Sequence, residues 1–258
     1  MVRYTMSLKI FESKFKKLIV SGCSFTHNNH TESCAWANLL ADWTGMEIVN
    51  LATPGAGNGH IADSLILYLE RNQPDPEDTL IMAMWSEIDR SDFIVSRNKY
   101  QRKTKLHSES FYDEYTEHYM AGGIHWNPAA IPDTALVREY NALQDEKSLS
   151  LRAWLNFNRL TNYLTVNNYE YRYTTLEDIF YQKRISFLKE LARLDLVLDL
   201  TNWILITGKE SLGGFTVYHN ERLPIDGHPT LNGHERWVKE RLIPALVTEG
   251  ILSNDIPV

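Results

Sequence analysis

An apolar run, Leu18-Ile19-Val20, stops at Ser21-Gly22-Cys23-Ser24-Phe25-Thr26. A serine displayed in a turn of small residues is placed to attack a carbonyl. Its hydroxyl is a weak nucleophile at neutral pH and needs a base beside it. A candidate base stands near the other end of the chain, in Pro224-Ile225-Asp226-Gly227-His228-Pro229. Asp226 precedes His228 by two positions, so its carboxylate can orient and polarise the imidazole that takes the serine proton. The chemistry of such a trio is acyl transfer. Each piece also has a plainer structural reading. Ser24 fits a turn or a helix N-cap, and His234 fits a helix start.

Other reactive side chains point less clearly. Cys23, next to Ser24, is an alternative nucleophile if a helix N-terminus lowers its pKa, and a small buried thiol otherwise. His27, His30, His60 and Asp63 have no recognised metal-ligand spacing, so no metal is expected. The segment Pro54-Gly55-Ala56-Gly57-Asn58-Gly59-His60 is glycine-rich, but no Lys-Ser or Lys-Thr follows it. It is therefore not a P-loop, and it lacks the spacing of a dinucleotide fingerprint.

These residues need elements to hold them. Lys17–Ser21 is a short strand with consecutive apolar positions, as in a parallel sheet covered on both faces. Ala35 to Thr44 has helical spacing, with Trp36, Leu39, Leu40 and Trp43 on one face. Glu47 to Leu51 is a second strand, which breaks at Ala52-Thr53-Pro54-Gly55. A helix carrying Ile61, Leu65, Tyr68 and Leu69 on one side follows, and Thr79 to Trp85 is a third buried strand. Strand alternating with helix marks an α/β fold with a parallel sheet, whose ligands bind at the carboxyl ends of the strands. All three strands end in the unusual pieces: Gly-Cys-Ser, Pro-Gly-Ala-Gly-Asn and Trp-Ser-Glu.

From about 91 to 175 the strand signals fade, and a largely helical insertion into one domain spanning 1–258 is expected. Ser148 to Val166 is its clearest helix. Its aromatic residues, among them Tyr112, Tyr115, Tyr119, Trp126, Trp154, Tyr163, Tyr169, Tyr171 and Tyr173, fit core positions, with one or two as lid residues over Ser24. Leu176 to Leu194 has a helical apolar stripe. Leu196 to Leu200 is a candidate late strand, and a last helix begins near Asn232.

The 258 residues are 43% hydrophobic and carry a formal net charge of -7. An acidic chain gains nothing from counterion release on phosphates, so nucleic acid is not an expected partner. The one basic run, Arg97 to Lys105, fits a solvated loop or helix face. Two cysteines, Cys23 and Cys34, make no disulfide framework. No apolar stretch has membrane-spanning or secretory length, so a soluble, reducing, cytoplasmic setting is expected.

Four pieces, taken in order, resemble the SGNH (GDSL-like) hydrolase family. Gly22-Cys23-Ser24-Phe25-Thr26 looks like its first block, with Cys23 where aspartate is usual. Asn50-Leu51-Ala52-Thr53-Pro54-Gly55-Ala56-Gly57-Asn58 looks like the second, and Ala83-Met84-Trp85-Ser86-Glu87 falls at the third without its asparagine. Asp226-Gly227-His228-Pro229 resembles the fifth, with acid and base one residue closer than usual. The stretch from about 91 to 195 carries no family motif.

The resemblance implies a flavodoxin-like three-layer α/β/α sandwich and an ester hydrolase. Ser24 would be the nucleophile, His228 the base and Asp226 the orienter, with Asp199 as an alternative acid. The N–H groups of Ser24, Gly55 and Gly57 would face the oxyanion. The Ser86 hydroxyl or the Asn58 amide would stand in for the absent asparagine, whose loss alone costs about 100–1000-fold in rate. No cofactor is implied. The substrate would be a small-molecule or glycan ester, such as an O-acetylated carbohydrate. Two alternatives use the same scaffold: a non-catalytic binding or structural module, and an O-acyltransferase.

Overall fold

The computed structural model describes residues 11–27, 35–96, 111–113, 118–125, 139, 142–177, 179–180, 187–206, 208–223 and 227–253. Its centre is a four-stranded sheet, all parallel, in the order β3-β2-β4-β8. Outside it, β1 (Glu12–Ser13) pairs antiparallel with β9 (Leu252–Ser253); the central strands are β2 (Lys17–Ser21), β3 (Glu47–Asn50), β4 (Thr79–Trp85) and β8 (Glu170–Thr175). Every residue of β4 is buried, which is why its sequence, TLIMAMW, shows no alternation.

Helices cover this sheet. Helix α1 (Trp36–Thr44) packs against β3 and against α6 (Leu231–Trp237), where Trp36 and Trp237 meet edge to face at 6.1 Å. Helix α2 (Asn58–Asn72) packs against β2, β4 and α3 (Glu146–Val166). The remaining helices are short: α4 (Phe187–Arg193), α5 (Leu212–Tyr218) and α7 (Ile243–Thr248). A parallel sheet between helices is the α/β arrangement expected from the sequence. Because all four strands run the same way, Gly22-Cys23-Ser24, Leu51-Ala52-Thr53 and Ser86-Glu87 emerge at one edge.

The early elements form where periodicity put them, and β2 and β4 have the expected bounds. The middle of the chain differs. Within 91–175, where a largely helical insertion is expected, the described residues hold the helix α3 and also an antiparallel sheet of β5 (Arg90–Ser96), β7 (His118–His125) and β6 (Phe111–Asp113). The same stretch then supplies β8, the fourth strand of the central sheet. Its sequence, EYRYTT, mixes polar and aromatic residues, so it lacks the apolar run that betrayed β2 and β4. Packing buries it all the same: Tyr173 is 1% exposed and lies 5.2 Å from Trp85 and 5.4 Å from Trp203, centroid to centroid.

The expected helix over Leu176 to Leu194 is shorter, with α4 at its end and residues 181–186 outside the described residues. The late strand at Leu196 to Leu200 does not form. The chain instead bridges β8 further on, at Trp203, where Ile204 N–H donates to the Tyr173 carbonyl at 2.7 Å. The basic run 97–105, His30 and Cys34, along with Tyr115 and Trp126, lie outside the described residues. Among the described residues no helix is long and apolar enough to cross a membrane.

Candidate active site

Ser24 sits in a single tight turn after β2. The N–H groups of Thr26 and His27 both donate to the Cys23 carbonyl, at 2.9 and 3.0 Å. Cys23 faces inward and is fully buried, while Ser24 is half-buried at the surface of the turn. Gly22 is required for space. A Cβ there would lie 2.3 Å from Thr26 Oγ1 and 3.3 Å from the Met84 carbonyl. Thr26 is itself fixed, accepting from Trp36 Nε1 at 3.0 Å and donating to Met84 Sδ at 3.5 Å.

The second strand end is tied to the first. Thr53 N–H donates to the Gly22 carbonyl at 3.1 Å, and Asn50 Nδ2 donates to the Thr26 carbonyl at 2.8 Å. Gly55 has φ +76, the left-handed conformation that glycine adopts without strain. Beyond it, the expectation for Gly57 is not met. Its N–H donates to Asp92 Oδ1 at 2.7 Å, and the His60 N–H donates to Asp92 Oδ2 at 3.0 Å. Asp92 therefore caps α2 from a different element, where anions are favoured by the open N–H groups. Burial raises its pKa, and the backbone N–H groups of His60 and Gly57 pull the other way.

Asn58 and Ser86 also have other occupations than the oxyanion. Asn58 Oδ1 accepts from the Ser86 N–H at 2.9 Å and from its hydroxyl at 3.3 Å, and Asn58 Nδ2 donates to the Ser86 carbonyl at 3.2 Å. Asn58 does reach across from the second strand end to the third, but it locks the two together. Both residues are buried.

The base candidate arrives on a pinned loop. Leu223 N–H donates to the His228 carbonyl at 2.8 Å, and Thr230 N–H donates to the Glu221 carbonyl at 2.9 Å. Gly227 turns the chain with φ +74. Thr230 Oγ1 then caps α6 by accepting from the Gly233 N–H at 3.0 Å. This loop leans on the serine turn: the His228 and Phe25 rings lie 5.1 Å apart, centroid to centroid. His234 is a buried residue inside α6. Asp226 lies outside the described residues. Asp199, the alternative acid, is exposed and accepts from the Thr201 N–H and hydroxyl at 2.9 and 2.6 Å, an Asx turn.

A group of charges that sequence reading missed borders this site. Arg90 Nε donates to Glu87 Oε2 at 3.2 Å, and Arg90 is only 11% exposed. Glu177 is the second carboxyl near Glu87. Burial, and then Glu87, push the Glu177 carboxyl up, with Arg222 and Arg90 acting against them. Arg222 Nη2 donates to the Gly213 carbonyl at 3.3 Å, and a Cβ on Gly213 would lie 3.1 Å from Glu177 Cγ. Arg222 also borders Gly227, whose Cβ would lie 3.6 Å from its Nη1. The row Arg90, Glu87, Glu177, Arg222 thus runs from the third strand end to the His228 loop. Burial also pushes Asp89 up to about 6, with Glu87 adding to it. The only sequence signal was Glu87, Asp89 and Arg90 following a fully apolar strand.

Among the described residues no group of three His, Cys, Asp or Glu is arranged to hold a metal ion. His60 is fully buried within α2.

No family model matches the chain, and no curated protein matches it. Solved structures do. The chain is similar to the psychrotrophic esterase EstA from Pseudoalteromonas sp., solved as inhibited by monoethylphosphonate, at 10% identity and a TM-score of 0.45, covering 91% of this chain and 98% of that one. It is similar to TesA at 15% identity and a TM-score of 0.38, covering 89% and 97%. A GDSL-like lipase candidate from Parabacteroides merdae matches at 12% identity and a TM-score of 0.42, covering 93% and 98%.

Proposed function

We propose that this chain is a serine ester hydrolase of the SGNH type. Ser24 is the nucleophile, His228 the base and Asp226 the orienter. The observation that carries the reading is the contact between His228 and Phe25, which brings two motifs from opposite ends of the chain to one strand edge. Ser24 Oγ bonds to the ester carbonyl carbon while His228 takes its proton. The tetrahedral intermediate expels the alcohol, which receives that proton. Water then attacks the acyl-serine with the same base, releasing the acid and restoring Ser24. The Ser24 and Gly55 N–H groups face the oxyanion. The charged row beside the site favours a polar ester over a fatty one, consistent with an O-acetyl group on a carbohydrate.

A fluorophosphonate probe tests the reading. A mass adduct mapped to Ser24, abolished in both Ser24→Ala and His228→Ala, is the expected result. Absence of labelling on the folded protein would reject it. The internal engagement of Gly57, Asn58 and Ser86 favours a second reading, a non-catalytic module on the same scaffold, and that outcome would support it.

A further inference from the structure

A general base works only within hydrogen-bond reach of the proton it takes, and a misplacement of about 1 Å costs about 100-fold in rate. Backbone bonds pin the His228 loop on both sides of the histidine. Gly227 N–H donates to the Leu223 carbonyl at 3.0 Å, Leu223 N–H donates to the His228 carbonyl at 2.8 Å, and Arg222 bridges Pro229. These bonds fix where the side chain starts. Side-chain contact must fix where the imidazole ends up. One such contact is with Phe25, whose ring lies 5.1 Å from the imidazole, centroid to centroid, with the planes at 41°. That spacing falls inside the range of about 4.5–7 Å over which aromatic rings attract one another.

Phe25 is itself held in place. It follows Ser24 directly in the turn and packs against the hydrophobic core. The next residue, Thr26, is bonded through its side chain and its backbone. Its Oγ1 accepts from Trp36 Nε1 at 3.0 Å, and its carbonyl accepts from Asn50 Nδ2 at 2.8 Å. The turn that displays Ser24 therefore also carries the ring that meets His228. A contact made by the residue next to the nucleophile sets the base relative to the nucleophile, not merely relative to the sheet.

Resting on the serine hydrolase reading, we propose that Phe25 is a positioning residue, whose ring holds the His228 imidazole toward Ser24 and whose π face favours the imidazolium formed there. Phe25 exchanges no proton and no electrons. As the Ser24 Oγ–carbon bond forms, the hydroxyl proton passes to His228, and the imidazole becomes a cation until it protonates the leaving alcohol. A cation within about 6 Å of an aromatic centroid is attracted by the ring quadrupole. The contact is thus stronger in the transition state than in the resting enzyme, which raises kcat rather than substrate binding.

The test measures hydrolysis of p-nitrophenyl acetate by the full-length protein and three variants. Phe25→Ala is expected to lower kcat about 100-fold with KM little changed. Phe25→Leu keeps an apolar contact with the core but has no π face, and should lose about tenfold in kcat. Phe25→Tyr keeps the ring and should stay within about threefold of the parent. A double-mutant cycle then reads whether the loss runs through His228. In the residual turnover of His228→Ala, adding Phe25→Leu should cost nothing further, whereas a residue that merely shapes the turn would cost the same factor again. Folded Phe25→Leu with the parent's kcat overturns the proposal. So do a loss confined to KM, a Phe25→Tyr variant as impaired as Phe25→Ala, and a loss that persists undiminished without His228. Phe25→Leu and Phe25→Tyr carry the test where Phe25→Ala does not fold. A parent protein that neither hydrolyses the ester nor labels at Ser24 fails at the hydrolase reading itself, which the probe result separates from a failure of Phe25 alone.

Discussion

Two glycine turns leave neighbouring parallel strands at the same edge of the sheet, yet they are committed differently. At Gly22 the chain closes on Thr26 and Met84, and Ser24 is left half-buried on the outside of the turn. At Gly57 the missing side chain makes room for Asp92, because a Cβ there would lie 2.6 Å from Asp92 Oδ2. Neither glycine is needed for backbone freedom; Gly57 has an ordinary extended conformation with φ -92. Both exist for close approach. One approach ends in a displayed hydroxyl, and the other in a carboxylate that takes up the N–H groups of a helix start. The lesson is that small residues at a strand end mark a crowded place, and the crowding neighbour decides whether a ligand can use it.

The most disruptive way to break this comparison is Gly22→Ala. The added methyl meets the Thr26 side chain, which Trp36 holds in place, and overpacking of that kind costs about 3 kcal/mol. Urea denaturation should show the loss; an unchanged midpoint would mean that the turn has slack. Next is Asp92→Ala, which removes the acceptor for the Gly57 and His60 N–H groups. Orphaning buried donors costs about 2 kcal/mol, and Asp92→Asn should recover part of it by keeping one acceptor oxygen. If Asp92→Ala were neutral, the second turn would not depend on its carboxylate, and the contrast with Gly22 would fail.

The smallest effect sharpens the electrostatics between the turns. Asp89, pushed up to about 6, has a buried Oδ1 with no hydrogen-bond partner among the described residues. Its carboxyl holds a proton more tightly folded than unfolded. The native state therefore takes up protons between about pH 4 and 6, and stability falls as pH rises through that window. Asp89→Asn should stabilise the protein at pH 7.5 by on the order of 1 kcal/mol, with the gain shrinking toward pH 4. Thermal unfolding at the two pH values checks this, and a gain independent of pH would mean that Asp89 is not the titrating group.

Residue type and spacing along the sequence were enough to identify β2, β4, α1, α2 and the α/β class. In those elements burial on both faces, or on one helical stripe, writes itself into consecutive residues. They also singled out Ser24 and His228, because their chemistry is carried by residue type. The sequence did not show β8, whose tyrosines and threonines become core only against Trp85 and Trp203, nor the three antiparallel strands of the middle stretch. It also could not show that Asp92 would take the Gly57 N–H or that Asn58 would clasp Ser86. Such commitments depend on which side chain arrives within hydrogen-bond reach, and partners 28 and 35 residues apart are brought together only when the strands pair. Local pattern determined the elements and the reactive groups; tertiary contact decided which donors near the strand ends were taken up.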